Sequence, residues 1–201
     1  LMTAAYGGRF SNDDWANALG GIHFLAREAS TVIAHAAVVE RRLEIGEHSV
    51  RAGYVEAVAT IPGRQSQGLG TAVMQAVGLH IQRSYEIGAL STSAHRFYER
   101  LGWERWQGPT FVRADPGLVR TEDEDDGIMV LKTPTTPPLQ VGDVITCEWR
   151  PGDVWEQWGA RRSSRQRTSS GRMGPTVEAG RWVRGVIAPW TPGPGRPGRG
   201  G

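Results

Sequence analysis

The chain has 201 residues, of which 39% are hydrophobic and 22% are charged, and its formal net charge is +2. This length allows one domain with a sizeable core, and the composition is ordinary for a globular protein. Because there is no apolar run of membrane-spanning length, no visible signal peptide and only one cysteine, Cys147, the sequence argues against a membrane span, an internal disulfide and a cysteine-based zinc site. We therefore expect a cytoplasmic protein.

The charge is distributed unevenly along the chain. Residues 1–155 carry 14 basic and 19 acidic side chains, a net charge of −5, whereas residues 156–201 carry 9 basic and 2 acidic ones, a net charge of +7. The second segment also holds 10 Gly and 5 Pro and no Leu or Phe, too little apolar surface to offset chain entropy. We predict a folded domain over 1–155 and a disordered tail over 156–201.

The acidic domain predicts the kind of partner. Such a domain attracts cationic ligands and repels nucleic acid, so we expect no nucleic-acid partner, and the lack of a membrane-spanning run predicts no membrane partner. A basic arm for nucleic acid remains the alternative for the tail, although its arginines follow no known motif.

The hydrophobic pattern predicts two helices around an antiparallel meander. Ser11 is suited to cap the first helix, and Gly20 to end it. Strict alternation on the third strand places Val55, Ala57 and Ala59 on one face and Tyr54, Glu56 and Val58 on the other. The predicted elements after the first helix are strands 22–27, 31–43 and 49–60, helix 68–88, strand 89–93, helix 95–101, and strands 103–106, 127–132 and 144–149. A loop with the acidic run EDEDD is expected between strands 103–106 and 127–132. Six residues of the long helix follow helical spacing: Leu69, Val73, Ala76, Val77, His80 and Ile81.

A glycine-rich turn, RQSQGLG at 64–70, joins the third strand to the long helix. The first backbone N–H groups of a helix are unpaired and carry partial positive charge, and glycines let a diphosphate approach them. The spacing matches neither a Walker loop nor a dinucleotide fingerprint. A diphosphate site and an ordinary glycine turn both fit this segment taken alone.

The surrounding segments favour the diphosphate site. GGIHFLA, IAHAAVVERRL, GYVEAVA, YEIGALSTSA, FYERLGW and EWRPGDVW occur in this order. Together with the glycine turn they resemble aminoglycoside 2′-N-acetyltransferases of the GCN5-related N-acetyltransferase (GNAT) superfamily, over about residues 6–155. The resemblance implies an α/β (α+β) fold with a mixed, mostly antiparallel sheet, flanked by helices and splayed where acetyl-coenzyme A enters. Relative to that family, an N-terminal strand and helix are expected to be missing.

The resemblance also implies the reaction and its catalytic groups. Acetyl-coenzyme A would acetylate the 2′-amine of an aminoglycoside and so confer antibiotic resistance, with no metal and with a homodimer as a possibility. Glu56 would act as general base through water, and Tyr98 would protonate the departing thiolate. A solvated strand carboxylate is the alternative interpretation of Glu56, and an aromatic packed on the core is that of Tyr98.

The remaining site residues follow from the same resemblance. The backbone N–H of Val58 would polarise the thioester carbonyl, and the backbone of Thr60 would pair with the pantetheine arm. The residues expected to hold the diphosphate are Gln65, Ser66, Gln67, Gly68, Leu69 and Gly70.

The polycationic acceptor should meet an acidic pocket. The expected contacts are Asp14, Ser91, Asp126, Asp153 and Trp155. Asp125 is a close second to Asp126, and a solvated acidic loop is the alternative for most of residues 122–126. Members of that family end at the tryptophan that matches Trp155, and the terminal carboxylate of that tryptophan lines the acceptor pocket. In this chain Glu156 follows, so the carboxylate is replaced by a peptide bond.

Two further function classes stay open. Arg9 stands where relatives carry an aspartate, and a cation there would repel a cationic acceptor. Together with the continued C-terminus, Arg9 favours a GNAT enzyme that acts on another small-molecule amine. The expected loss of the N-terminal elements and the unusual tail instead support a coenzyme A-binding remnant with impaired catalysis. His23 and His35 are interpreted as satisfied core histidines, and Cys147 as a packed strand residue.

Overall fold

The computed structural model describes residues 1–115 and 117–151. Within that part of the chain, nine strands form one mixed sheet and helices cover it. The helices are α1 (Met2–Ala5), α2 (Asn12–Ala16), α3 (Leu69–Ser84) and α4 (His95–Glu99), with a 3₁₀ turn at Glu122–Glu124. The strands are β1 (Ile22–Glu28), β2 (Thr31–Ile45), β3 (His48–Thr60), β4 (Ile87–Ser91), β5 (Glu104–Arg105), β6 (Thr110–Ala114), β7 (Gly117–Arg120), β8 (Ile128–Lys132) and β9 (Ile145–Glu148).

The strand order is β5-β8-β4-β3-β2-β9-β6-β7, and β1 also pairs with β2. β1, β2 and β3 form the predicted antiparallel meander, and β3 and β4 run parallel. β1 pairs with Thr31 to Val38 of the long strand β2, and β9 pairs with Leu43 to Ile45 at its other end. A mixed, mostly antiparallel sheet with helices is the predicted fold class, which is confirmed.

The buried face of α3 lies on one side of this sheet. Val73, Met74, Val77 and Ile81 pack with apolar residues of β2, β3, β4 and β8. A second cluster fills the opposite face, and the short helix α1 places Met2 and Tyr6 against β3. Three of the six predicted positions of α3 are thus buried and two are half-buried, whereas Ala76 is exposed and the buried Met74 was not predicted.

A bulge interrupts β3 halfway along. Ala37 of β2 pairs with Glu56 and His35 pairs with Ala59, so β3 holds one residue more than β2 between these pairs. Ala57 takes up the extra length at a φ of +56°. The predicted strict alternation is therefore wrong beyond Val55: Ala57 and Ala59 pack with α1, whereas Val58 packs with the cluster under α3.

β3 and β4 diverge next to this bulge. They pair only from Ala52 with Ile87 to Tyr54 with Ala89. β3 then continues to Thr60 and β4 to Ser91 beyond the paired register. The predicted splay in the sheet is present, and it opens between the ends of these two strands.

Several predicted boundaries need correction. The segment 107–126 was expected to be a loop, but the structure has the hairpin β6–β7 there. The long helix ends at Ser84 and not at Gly88, because Tyr85 is extended and Ile87 begins β4. The predicted boundary at 155 and the tail lie outside the described residues. Among those described, no helix combines the length and the apolar character needed to cross a membrane.

Candidate active site

A groove of about 570 Å³ lies where β3 and β4 separate. One wall is the end of β3 from Val58 to Thr60, and a second is the glycine turn with the first turn of α3. The third wall comes from the segment after β4, with Thr92, Phe97 and Tyr98. The residues that form it thus come from the three segments that the sequence identified as coenzyme-binding and catalytic.

The turn before α3 exposes backbone to this groove. Gly68 is the N-cap of α3 at a φ of +81°, and the described residues place no side-chain hydrogen bond on that end of the helix. A Cβ on Gly70 would lie 3.4 Å from Thr60 Oγ1 and 3.6 Å from Phe97 Cζ, so a larger side chain would enter the groove. The uncapped start of a 16-residue helix therefore lies at the wall of the groove, an arrangement that suits a diphosphate.

Most of the predicted coenzyme residues line the groove. Val58, Thr60, Gln65, Ser66, Gly68, Leu69 and Gly70 do so. The exception is Gln67, whose side chain accepts a hydrogen bond from Arg64 Nε at 2.9 Å.

Arg64 also lines the groove, and it was not predicted as a site residue. Its guanidinium donates two hydrogen bonds to the carboxylate of Glu28 at the end of β1, at 2.5 and 2.9 Å. This pairing holds the pKa of Glu28 below its ordinary value. The Glu28 carboxylate, which is not among the described groove residues, thus holds the Arg64 guanidinium at the turn. The sequence could not predict this contact, because the two residues are 36 positions apart and meet only in the folded chain.

Glu56 is half-buried and directly precedes the bulge residue Ala57. The described residues that line the groove include Val58 but not Glu56. Glu56 is therefore two residues along β3 from the groove wall at Val58, and a general-base role for it stays a prediction.

Tyr98 lines the groove although only 6% of its surface is exposed. Its ring packs edge-on against Phe97 and Trp103, at centroid distances of 4.9 and 6.1 Å. Tyr98 is thus packed among core aromatics and also lines the groove, so its position agrees with both of its predicted roles.

The predicted acceptor residues that the structure describes differ in their hydrogen-bond partners. Asp14 closes a capping box with Ser11, accepting from the Ser11 N–H at 2.5 Å. Ser91, at the end of β4, donates to Glu124 Oε2 at 2.9 Å. Asp126 has an exposed side chain, and its backbone carbonyl accepts from His95 Nε2 at 2.6 Å. Asp153 and Trp155 lie outside the described residues.

Asp125, the second choice to Asp126, is engaged within the fold. Its carboxylate accepts from the N–H and Oγ1 of Thr110, at 3.0 and 2.9 Å, and pairs with the Arg120 guanidinium. The Arg120 hydrogen bond, above all, holds the pKa of Asp125 below its ordinary value. Asp125 therefore ties the 3₁₀ segment to β6 and β7. Glu124, beside Ser91, is a residue that the sequence did not single out, because nothing in an acidic run shows which member faces a strand end.

Two histidines lie behind the bulge. His35 Nδ1 is 2.7 Å from the Ala57 carbonyl oxygen, and His35 Nε2 is 2.8 Å from His23 Nδ1. They are 1% and 3% exposed, and burial lowers the pKa of each to about 4, so both are neutral near pH 7. The prediction of satisfied core histidines is confirmed, but their contact with the bulge was not foreseen. Within the described chain, no group of three or more His, Cys, Asp or Glu is placed to hold a metal ion.

Comparison with known proteins shows the family to which the chain belongs. Residues 5–106 match the family model of the acetyltransferase (GNAT) domain. The chain is 45% identical over 159 residues to an aminoglycoside 2′-N-acetyltransferase of Mycolicibacterium fortuitum, a match covering 77% of this chain and 82% of the relative.

Solved structures give more distant likenesses. A GNAT family acetyltransferase from Brucella melitensis, in complex with acetyl-CoA, has a TM-score of 0.47 at 15% identity, covering 72% of this chain and 83% of that one. A GCN5-related N-acetyltransferase from Kribbella flavida has a TM-score of 0.38 at 23% identity, covering 41% of this chain, and the match spans only 22% of that longer protein. The family model and the curated relative together decide the assignment: the chain belongs to the GNAT acetyltransferase family.

Proposed function

We propose that this chain is an aminoglycoside 2′-N-acetyltransferase that uses acetyl-coenzyme A. The observation that carries the proposal is the 45% identity to the Mycolicibacterium fortuitum enzyme over most of both chains. The groove between β3 and β4 supports it, because the turn, Val58 and Tyr98 meet there. The acetyltransferase domain would cover residues 1–155.

The groove residues fit the coenzyme. The amides at the start of α3 would hold the diphosphate, with Gln65, Ser66, Gly68, Leu69 and Gly70 around it and Gln67 holding Arg64 in place. Thr60, at the end of β3, has no neighbour in the register with β4, so its backbone is available to the pantetheine arm. Bound acetyl-coenzyme A supplies the acetyl group as a thioester, whose C–S bond breaks as the C–N bond to the amine forms.

This chain's own groups would move the protons. Glu56 would take a proton, through water, from the acceptor's ammonium group, since only the neutral amine can attack. The N–H of Val58 would stabilise negative charge on the carbonyl oxygen during the attack. Tyr98 would give its hydroxyl proton to the departing sulfur. The second proton that the nitrogen loses would return to the Tyr98 phenolate through water, so that the products are the acetamide and the free thiol.

Acidic groups near the ends of β4 and α2 would attract the polycationic acceptor. We assign this role to Ser91 with its partner Glu124, to Asp126 and to the outer oxygen of Asp14. Asp153 and Trp155 are proposed to complete the acceptor site. We further propose cytoplasmic action, a homodimer and antibiotic resistance as the consequence of acetylation.

A different small-molecule amine is the second candidate acceptor. It is favoured because Asp14 is partly used in capping α2 and Asp125 is paired with Arg120, while Arg9 adds an exposed cation. Fewer free carboxylates would weaken the attraction for a polycation.

The deciding experiment is thiol release from acetyl-coenzyme A with a matched pair of acceptors. Tobramycin carries a 2′-amine and kanamycin A a 2′-hydroxyl, so we expect turnover of the first and background rates with the second. NMR of the product should place the acetyl group on the 2′-nitrogen. Equal rates with both antibiotics, or acetylation of another nitrogen, would contradict the proposal. Turnover of other amines alone would favour the second candidate.

A further inference from the structure

The bulge on β3 is held by side chains from outside the strand. In the described register of β2 and β3, Ala57 and Val58 are passed over between the pairs at Glu56 and Ala59. Their carbonyl groups bond elsewhere. The Ala57 carbonyl accepts from His35 Nδ1 at 2.7 Å, and the Val58 carbonyl accepts from the Tyr6 hydroxyl at 2.8 Å.

The first of these bonds fixes the direction of a particular N–H group. The Ala57 carbonyl and the Val58 N–H belong to one planar trans peptide unit, so they point in opposite directions. Val58 lines the groove between β3 and β4, whereas His35 belongs to β2, which pairs with the opposite edge of β3. A hydrogen bond that holds the carbonyl toward His35 therefore holds the N–H away from it, on the side of the groove.

The hydrogen-bonding rules then fix the protons of both rings. A carbonyl only accepts, so His35 Nδ1 must carry a proton, and in a neutral ring His35 Nε2 is then an acceptor. His23 Nδ1, 2.8 Å away, must be the donor to it. Both rings are thus held with the proton on Nδ1, and two donors in series strengthen the bond to the carbonyl.

We propose that His23 and His35 are positioning residues for acetyl transfer, which orient the Ala57–Val58 peptide so that its N–H faces the thioester carbonyl in the groove. This inference rests on the proposed function, in which the Val58 N–H is the donor to that carbonyl. Regular pairing of β3 with β2 would avoid the positive φ of Ala57 and would need no hydrogen bond from His35. The strained bulge, held by the hydrogen-bonded His23–His35 pair, therefore indicates a role beyond packing.

The first test needs no acceptor and no activity. Nitrogen-15 NMR of the wild-type protein at pH 7.5 reports which ring nitrogen of each histidine carries the proton. We expect Nδ1–H for both His23 and His35. Nε2–H on His35 would overturn the proposal outright, even if the protein acetylates aminoglycosides as proposed.

The second test compares variants of one position. His35→Asn keeps a donor near the place of Nδ1, whereas His35→Leu removes it. We expect His35→Leu to lower kcat by roughly 10- to 100-fold, because the N–H is no longer aimed, with a much smaller change in KM for the acceptor. His35→Asn should recover most of kcat, and His23→Leu should fall between the two. His48→Leu, at the far end of β3, is the control histidine.

A readout on the bulge itself separates this inference from the proposed function. We expect the amide signal of Val58 to shift in His35→Leu and to return toward its wild-type position in His35→Asn. If no aminoglycoside is acetylated, this signal and the ring protonation still test the orientation. An unchanged Val58 signal or an unchanged kcat in a folded His35→Leu would refute the positioning role, and so would a His35→Asn variant no better than His35→Leu.

Discussion

Several residues of the groove serve the fold and the site together. Tyr98 is packed between Phe97 and Trp103 while it lines the groove. Asp14 is half-buried at the start of α2 and bonds to the backbone of Ser11. For such residues, a loss of activity after substitution can come from a damaged fold or from a missing catalytic group. A substitution that removes one polar atom and keeps the shape of the side chain distinguishes these two causes.

Tyr98→Phe is such a change. It removes the hydroxyl and keeps the ring between its aromatic neighbours, so we expect the melting temperature to change little. If Tyr98 protonates the leaving thiolate, kcat should fall by about 10²-fold or more. Thiol release and calorimetric unfolding on the same preparation measure both quantities. A large loss of Tm with little loss of kcat would leave only the packing role.

Asp125 and Asp126 are neighbours for which we expect opposite effects. Asp125→Asn weakens the bonds to Arg120 and Thr110, so it should lower the free energy of unfolding by about 1 kcal/mol, with little change in acceptor KM. Asp126→Asn removes a charge from an exposed side chain and should raise the KM for tobramycin several-fold with unchanged stability. Urea titration and steady-state kinetics of the pair check this, and the reverse pattern would reassign the two residues.

At the scale of elements, the site depends on two irregularities in otherwise regular structure. The bulge at Ala57 takes β3 out of register with β2, and the helix α3 begins without a side-chain cap among the described residues. Regular pairing with β2 would remove the positive φ of Ala57 but also the bulge that carries Val58, and a capping serine at the start of α3 would occupy amides that line the groove. The two features lie next to each other because β3 leads directly into the turn before α3.

Substitutions at two glycines of α3 distinguish an effect on coenzyme affinity from an effect on helix stability. Gly70→Val places methyl groups beyond a Cβ that already lies 3.4 Å from Thr60 Oγ1, so we expect acetyl-coenzyme A affinity to fall by about tenfold or more. Gly78→Ala is the matched control on the same helix, since its Cβ would make ordinary contact with Leu131 at 3.6 Å. It should leave affinity unchanged and raise stability by about 0.5–1 kcal/mol. Calorimetric titration of both variants tests this, and equal losses of affinity would place the coenzyme elsewhere.

At the scale of the whole molecule, the buried histidine pair makes stability depend on pH. The pKa values of His23 and His35 are lowered from 6.5 to about 4, chiefly by burial. Between these values the unfolded chain binds more protons than the folded one, so stability is complete above about pH 6.5 and declines as the pH falls toward 4. A shift of this size is equivalent to on the order of 3 kcal/mol for a single histidine.

Urea unfolding at pH 7.5, 6 and 5 measures this decline. The double variant His23→Asn/His35→Asn lacks both titrating groups and should show a flatter dependence, although a lower stability at pH 7.5. His80 contributes in the same direction, because burial lowers its pKa too, and it is present in both proteins. Parallel pH profiles of wild type and double variant would show that the pair does not carry the effect.

Much of this arrangement follows from the sequence, and the exceptions have physical causes. The meander, α3 and the groove turn show clear periodicity and glycine signals, and the family segments identify the strand that carries Glu56. The sequence does not reveal the bulge, because nothing distinguishes an alanine that adopts a positive φ from an alanine in a regular strand. Strict alternation therefore assigned Val58 to the wrong face of the sheet. The hairpin β6–β7 was missed although Asp-Pro-Gly at 115–117 is a strong turn signal, since its strands have only five and four residues and show little alternation.

The position of β9 imposes an order on the folding of a chain made from its N-terminus. β9 lies between β2 and β6 and pairs with both, yet it is the last strand of the described chain to leave the ribosome. The hairpin β6–β7 is therefore synthesised well before the strand that attaches it to the sheet. During that interval Thr110 to Ala114 presents an unpaired edge, and premature release of the chain before Ile145 would leave this edge open to another molecule.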